Sequence, residues 1–96
     1  SNDALALFSS KGYGKRIEQK DLLPQKRGGK GVNCFKSGLL TGELTGAQLV
    51  NDDDNVLILG NKSSLCMSAS EIPVVSRAST GSIMLKDNHI LGVSKV

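Results

Sequence analysis

Short apolar segments alternate with small polar residues along the whole chain. Valine, isoleucine and leucine concentrate in five segments, at residues 5–8, 44–50, 56–59, 82–85 and 90–96. Glycine, asparagine, aspartate and serine fill most of the gaps, and these residues favour turns. The one candidate helical stretch, residues 17–23, ends before Pro24, which cannot continue a helix. The pattern predicts an all-β domain built from antiparallel hairpins.

The second half of the chain repeats the first. Three pairs of residues match at a spacing of 50, namely Asp21 and Glu71, Arg27 and Arg77, and Gly31 and Gly81. The strands around residues 5 and 56 match at a spacing of 51, so the second copy is one residue shorter before Glu71. A period near ~45 residues with about four strands is typical of a propeller blade. We therefore expect two four-stranded antiparallel blades, residues 3–50 and 51–96, with residues 1–2 interpreted as an expression scar.

Two blades are too few to close a ring. Either the chain is a portion of a larger wheel, or its open strand edges pair with a partner, because unpaired edges invite pairing. Strand exchange between neighbouring blades is one form of such pairing, and a strand-swapped homodimer of the fragment is another.

The composition is that of a globular protein. Apolar residues make up 39% and charged residues 22% of the 96 residues, and no apolar run approaches the ~20 residues that a membrane helix needs. The start of the chain lacks the pattern of a secretory signal, and Cys34 and Cys66 form no CxxC pair. We expect a cytoplasmic protein with no membrane-spanning helix, no disulfide framework and no metal site; the expectation of no membrane partner rests on the family resemblance described below.

The positive charge is concentrated in one part of the sequence. Residues 11–36 hold eight basic and two acidic residues, a net charge of +6, whereas the rest of the chain has a net charge of −3. A local excess of this size indicates a polyanionic partner, either nucleic acid or a membrane surface. A basic, solvated face without a partner is the alternative.

One loop in this basic region has the chemistry of a phosphate site. Cations alternate with glycines in the sequence Gln25, Lys26, Arg27, Gly28, Gly29, Lys30, Gly31. Glycines let a backbone approach a surface closely, and adjacent glycines permit a turn whose N–H groups bind anions. The spacing is not that of a nucleotide-binding Walker A loop, since Lys30 is followed by Gly31 instead of serine or threonine. The alternative is a flexible, solvated loop.

This loop and its flanks resemble a known family. The order Gly12, Tyr13, Gly14, Lys15, Arg16, then Asp21 and Leu22, then residues 25–31 resembles a blade of the C-terminal DNA-wrapping domain of the DNA gyrase A protein. The family's gyrase A box reads Gln-Arg-Arg-Gly-Gly-Lys-Gly, and residues 25–31 reproduce it with one Arg-to-Lys change. Residues 71–81, which include Arg77, resemble the degenerate loop of the family's last blade. The chain is therefore interpreted as the last two blades.

The resemblance implies a β-pinwheel that bends double-stranded DNA around a basic rim without reading base sequence. It implies phosphate contacts from residues 25–31 together with Lys15, Arg16 and Arg77. The parent would be an ATP- and Mg-dependent type II topoisomerase that introduces negative supercoils, with the gyrase B protein and a second gyrase A protein as partners and a chromosome-associated location. The homologous A protein of topoisomerase IV, which has a related domain, is the alternative parent.

No catalytic residue and no cofactor are expected in this fragment. Tyr13 lies between two glycines, His89 has no cysteine or histidine near it in sequence, and residues 52–54 have the composition of a charged turn. A propeller fragment that binds protein and not DNA remains the rival to the DNA-binding hypothesis.

Overall fold

The computed structural model describes residues 4–22 and 33–96. In this part of the chain, seven strands form two antiparallel sheets. The strands are β1 (Ala4–Ser9), β2 (Tyr13–Glu18), β3 (Leu44–Val50), β4 (Asn55–Gly60), β5 (Ser64–Ser68), β6 (Ser82–Ile83) and β7 (Ile90–Lys95). Two single 3-10 turns, Gln19–Leu22 and Ala69–Glu71, follow β2 and β5. The prediction of an all-β fold is confirmed.

All five predicted segments contain strands, and two further strands were missed. In β2 the charged Lys15 and Arg16 stand side by side and are both buried, so the strand lacks the alternation of apolar and polar residues that a half-buried strand shows. β6 is shorter than predicted because the backbone N–H groups of Met84 and Leu85 both turn to the carbonyl of Gly12. The helical candidate forms the end of β2 and one 3-10 turn.

The first sheet has the strand order β3-β1-β2-β6, and the second has the order β5-β4-β7. β6 belongs to the second half of the chain by sequence, yet it pairs with β2 of the first half, Tyr13 opposite Ile83 and Gly14 opposite Ser82. Strand exchange between the two repeats is therefore present. It leaves the first sheet with the expected four strands and the second with three among the described residues.

The hydrophobic core lies between the two sheets. Phe8 of β1 and Val50 of β3 pack in one cluster with Val56 and Ile58 of β4 and with Ile90 of β7. Fully burying a side chain of this size stabilises the folded state by about 1.5–3 kcal/mol. β3 and β7 come close together, since a Cβ added at Gly46 would lie 2.6 Å from a methyl group of Val93. The two repeats are thus joined by one apolar interior.

Among the described residues, no helix has the length and apolar character needed to cross a membrane.

Candidate nucleic-acid interface

The box-like loop is not part of the described structure. Seven of the ten residues predicted to contact DNA lie outside the described residues: Gln25, Lys26, Arg27, Gly28, Gly29, Lys30 and Gly31. The prediction for them stays a prediction. The other three, Lys15, Arg16 and Arg77, can be placed.

Lys15 and Arg16 lie in the interior and not on an exposed rim. They stand in the middle of β2, which is covered on one side by β1 and partly on the other by β6. Only 4% of Lys15 and 6% of Arg16 is exposed. A buried charge needs close polar partners, because transfer out of water is costly. Both side chains have such partners within the described residues.

The guanidinium group of Arg16 connects the two repeats. Its Nε donates to the carbonyl of Ile72 at 2.7 Å, and Nη1 lies 2.6 Å from Oδ1 of Asp52. A longer bond of 3.4 Å runs from Nη2 to the carbonyl of Ser70. Asp52 is in the turn between β3 and β4, and the two carbonyls belong to the second repeat. Arg16 thus holds three separate pieces of chain together.

The backbone of Arg16 adds two hydrogen bonds to the same region. Its N–H donates to the carbonyl of Pro73 at 2.7 Å, and its carbonyl accepts from the N–H of Val75 at 2.9 Å. The result is a short parallel bridge between Arg16 and Val74. The loop after the second 3-10 turn therefore starts as an extension of the first sheet.

The ammonium group of Lys15 holds the next part of that loop. Its Nζ donates to the carbonyl of Arg77 at 2.9 Å and to the carbonyl of Ser79 at 2.7 Å. Burial lowers the pKa of Lys15 below its ordinary value of 10.5. We call the side chains of Lys15 and Arg16 the clamp. We call residues 73–81, which align in sequence with residues 23–31 at the spacing of 50, the second loop.

The clamp does not agree with the prediction that Lys15 and Arg16 contact phosphates. Their charged groups are buried against carbonyls and a carboxylate, so a phosphate could reach them only after those bonds had broken. The phosphate contacts of Lys15 and Arg16 were expected from the family resemblance and from the basic charge of residues 11–36. The structure instead places Lys15 and Arg16 on an inner strand. The charge pattern of the sequence does not distinguish a buried cation on a strand from an exposed one.

Arg77 is placed differently. Its side chain is partly exposed, and Nη1 donates to the carbonyl of Asn33 at 3.3 Å. Arg77 and Lys36 line the same cleft of about 860 Å³, between residues 33–41 and the second loop, and Asp21 also lines it. Two cations at one open cleft form a candidate phosphate-binding position within the described residues.

Three further lysines meet at one end of the sheets. Lys11 follows β1, Lys62 follows β4, and Lys86 precedes β7; together with Asp87 and His89 they line a cleft of about 570 Å³. Sequence analysis missed Lys62 and Lys86. Their positions in turns could have indicated this cluster, because antiparallel hairpins bring alternate turns to the same end of a sheet.

The opposite end is acidic. Ala4 pairs with Glu18 and with Val50, so the end of β2 and the end of β3 lie together. The carboxylates at this end are those of Glu18, Asp21, Asp52, Asp53, Asp54 and Glu71. The backbone N–H of Asn51 donates to Asp54 at 2.8 Å, and this hydrogen bond lowers the pKa of the Asp54 carboxyl below 3.8. Three of these carboxylates pair with Arg16, Lys20 and Lys95, so the net negative charge of this end comes from Asp21, Asp53 and Glu71.

Comparison with known proteins agrees with this architecture. The family described as DNA gyrase C-terminal domain, beta-propeller, matches residues 3–58 and 67–94. The DNA gyrase A protein of Clostridium acetobutylicum is 30% identical over 88 residues, which is 88% of this chain and 11% of that protein. The gyrase A protein of Lawsonia intracellularis is 36% identical over 84 residues, 86% of this chain and 10% of that protein. The chain thus spans about a tenth of these relatives.

Solved structures show the same fold. A DNA gyrase A C-terminal domain superposes with a TM-score of 0.83 at 28% identity, over 98% of this chain and 33% of that one. The C-terminal domain of a DNA topoisomerase IV superposes with a TM-score of 0.82 at 18% identity, over 99% of this chain and 31% of that one, a likeness of fold alone. Since the family match covers both repeats, the chain belongs to the DNA gyrase C-terminal domain family.

Proposed function

We propose that this chain binds double-stranded DNA through its phosphate backbone, without reading base sequence, as part of the DNA-wrapping surface of a gyrase A protein. The observation that carries the proposal is the sequence of residues 25–31, three cations among three glycines, inside the segment that matches the family. Lysine and arginine bind phosphates by charge, and this electrostatic attraction supplies most of the affinity of proteins for DNA when base sequence is not read.

The described residues support the proposal in two ways. Arg77 and Lys36 present cations at one cleft, which Asp21 also lines, and Lys11, Lys62 and Lys86 line a second cleft, together with Asp87, at the end of the sheets away from the acidic turn at residues 52–54. Lys15 and Arg16 are not included as phosphate contacts, since their charged groups hold the repeats together.

The role in the parent protein is a further part of the proposal. A wrapped duplex would be presented for ATP- and Mg-dependent strand passage that introduces negative supercoils, in a complex with the gyrase B protein and a second gyrase A protein. The curated relatives named above are gyrase A proteins, and the gyrase domain matches at higher identity than the topoisomerase IV domain. Both observations favour gyrase as the parent. β5 has no strand on its outer side among the described residues, which supports the proposal that the fragment forms a strand-swapped homodimer.

A salt titration of duplex affinity tests the DNA-binding proposal. The double variant Lys26→Ala/Arg27→Ala should weaken binding of a ~20–30 bp duplex. It should also make the slope of log affinity against log salt shallower by about 1.8, which is roughly 0.9 for each phosphate that is no longer neutralised. Fluorescence anisotropy at several salt concentrations measures both quantities.

The matched control is Lys20→Ala/Lys95→Ala. It removes the same charge from two lysines that pair with Glu18 and Asp54 at the acidic end, and it should leave the slope nearly unchanged. Equal losses in the two double variants would mean that net charge alone attracts DNA, which contradicts a dedicated loop. Failure of the unmodified chain to bind any duplex would also contradict the proposal and favour a protein-binding fragment.

A further inference from the structure

We infer that Lys15 positions Arg77 for a phosphate contact and does not make such a contact itself. The inference rests on the proposed DNA-binding function and assigns roles within it to two residues. Lys15 donates to the backbone carbonyl of Arg77 itself, at 2.9 Å, and to the carbonyl of Ser79 two residues further on. The ammonium group therefore fixes the backbone from which the Arg77 side chain projects.

The rest of the second loop is fixed at its ends. At its start, Pro73 and Val75 bond to the backbone of Arg16. At its end, Gly81 has a φ of +82° and lies so close to β2 that an added Cβ would be 2.3 Å from the carbonyl oxygen of Gly14. Between these points the loop has a turn in which the N–H of Ser79 donates to the carbonyl of Ser76 at 3.1 Å. The two bonds from Lys15 attach this turn to the sheet.

The Arg77 side chain can change its partner at low cost. Its hydrogen bond to Asn33 is 3.3 Å long, beyond the usual range for N–H···O bonds, and it lies at the surface. A phosphate offers shorter, charge-assisted bonds, and the planar guanidinium can bind two of its oxygens at once. A fixed backbone with a loosely held cationic side chain is the arrangement that a preorganised phosphate contact requires.

Lys15 itself is unsuited to contact phosphate. It is 4% exposed, and its ammonium group already has two carbonyl partners. A direct contact would require both bonds to break and a buried charge to move to the surface. The two residues thus have different roles, although both are cations in the same site.

A double-mutant cycle with a salt titration separates the roles. Arg77→Ala should lower duplex affinity about fivefold and make the salt slope shallower by about one, as expected when one phosphate contact is removed. Lys15→Met should produce a similar loss and a similar slope change, because Arg77 is no longer held in place. The double variant should be no worse than either single variant, which is the sign of two residues that act as one unit.

Other results would overturn the inference. If Lys15 contacted phosphate directly, the two losses would add and the slope would fall by about two in the double variant. If Lys15 were only structural, Lys15→Met would lower the melting temperature and leave the slope unchanged. Lys15→Arg keeps donors for both carbonyls and should restore the slope. If Lys15→Met does not fold, Lys15→Gln replaces it, since it removes the charge but keeps an amide NH2 group on a shorter side chain. A slope like that of Arg77→Ala would support the inference, and the slope of the unmodified chain would contradict it.

The proposed function is judged in the same experiment by the Lys26→Ala/Arg27→Ala variant. If that variant weakens binding while the cycle between Lys15 and Arg77 is additive, the positioning role alone is wrong. If that variant binds like the unmodified chain, the box-like loop is not the DNA contact, and the cycle still reports on Lys15 and Arg77. Circular dichroism and a thermal melt establish that each variant is folded at the temperature of the titration.

Discussion

The two repeats have the same plan but different surroundings for corresponding strands. β2 pairs with β1 as β5 pairs with β4, with Arg16 opposite Ala6 and Cys66 opposite Leu57. Four successive residues of β2 are buried, whereas three successive residues of β5 are exposed. The difference follows from what lies on the outer side: β2 has β6 and the second loop, and β5 has neither among the described residues. A repeat in this fold is therefore completed by the next one.

The strand register also shows which residues hold the second repeat against β2. Where the first repeat has Lys15 and Arg16, the second has Leu65 and Cys66. Neither replacement can donate several hydrogen bonds to carbonyls, so β5 has no equivalent of the clamp. The junction between the described repeats is held by buried cations, and a further repeat placed next to β5 would need other contacts.

The largest expected difference between the repeats is in the core. Phe8 is fully buried, and Leu59, its counterpart in the register, is 41% exposed. Phe8→Ala should lower the free energy of unfolding by about 3–5 kcal/mol, and Leu59→Ala by less than about 1 kcal/mol. Urea denaturation measures both changes. Equal losses would mean that the two repeats are equally covered in solution, contrary to the comparison.

The next effect concerns the clamp. Arg16→Met keeps an unbranched side chain but leaves the carbonyls of Ser70 and Ile72 without a donor. It should lower the free energy of unfolding by about 1–3 kcal/mol, since the carbonyl of Ile72 is buried and an unsatisfied buried group costs about that much. Cys66→Ala at the matching position of β5 should change it by less than about 0.5 kcal/mol. Thermal melts of the two variants would show no difference if Arg16 were a solvated surface cation.

The smallest effect concerns the turn that joins the repeats, and it depends on pH. Because the N–H of Asn51 holds the pKa of Asp54 below 3.8 in the folded state, Asp54 contributes stability above that pH. The contribution is lost as the pH falls through the lowered pKa. Asp54→Asn should therefore make the free energy of unfolding fall less steeply as the pH is lowered from about 5 to about 2. Asp53→Asn removes the same charge from the same turn and should leave a steeper fall of the free energy of unfolding with pH. Identical pH dependences in the two variants would contradict the role given to Asp54.

The strands that could be predicted are those marked by the local sequence pattern of apolar segments and turn residues. β1, β4 and β7 are apolar segments bounded by turn residues, and all three formed where the pattern placed them. β2 was missed because its character is set by long-range contacts: Lys15 and Arg16 are buried because distant carbonyls accept their hydrogen bonds. β5 was missed because it is a short strand with serine at both ends and three exposed residues, so it lacks the apolar pattern of a buried strand. The repeat indicated two blades, but nothing in the spacing showed that residues 82–83 would join the first sheet.

The site could be predicted in its chemistry and only partly in its geometry. The cation-rich loop at residues 25–31 follows from residue type and spacing alone, which is why it could be identified without coordinates. Whether a lysine on a strand faces water or the interior depends on the neighbouring strand, and this information was absent for Lys15 and Arg16. Arg77, which the repeat and the resemblance of residues 71–81 both indicated, has a partly exposed side chain.

The acidic turn at residues 52–54 has a consequence for how a duplex approaches the molecule. Repulsion between carboxylates and phosphates extends about 8 Å at physiological ionic strength. Under the proposed DNA-binding function, a duplex held at the end that carries Lys11, Lys62 and Lys86 would therefore be kept away from the acidic end of the sheets, so each pair of repeats would accept the duplex in one orientation. Raising the salt weakens attraction and repulsion together, so high salt should blur the orientation of the bound duplex as well as loosen it.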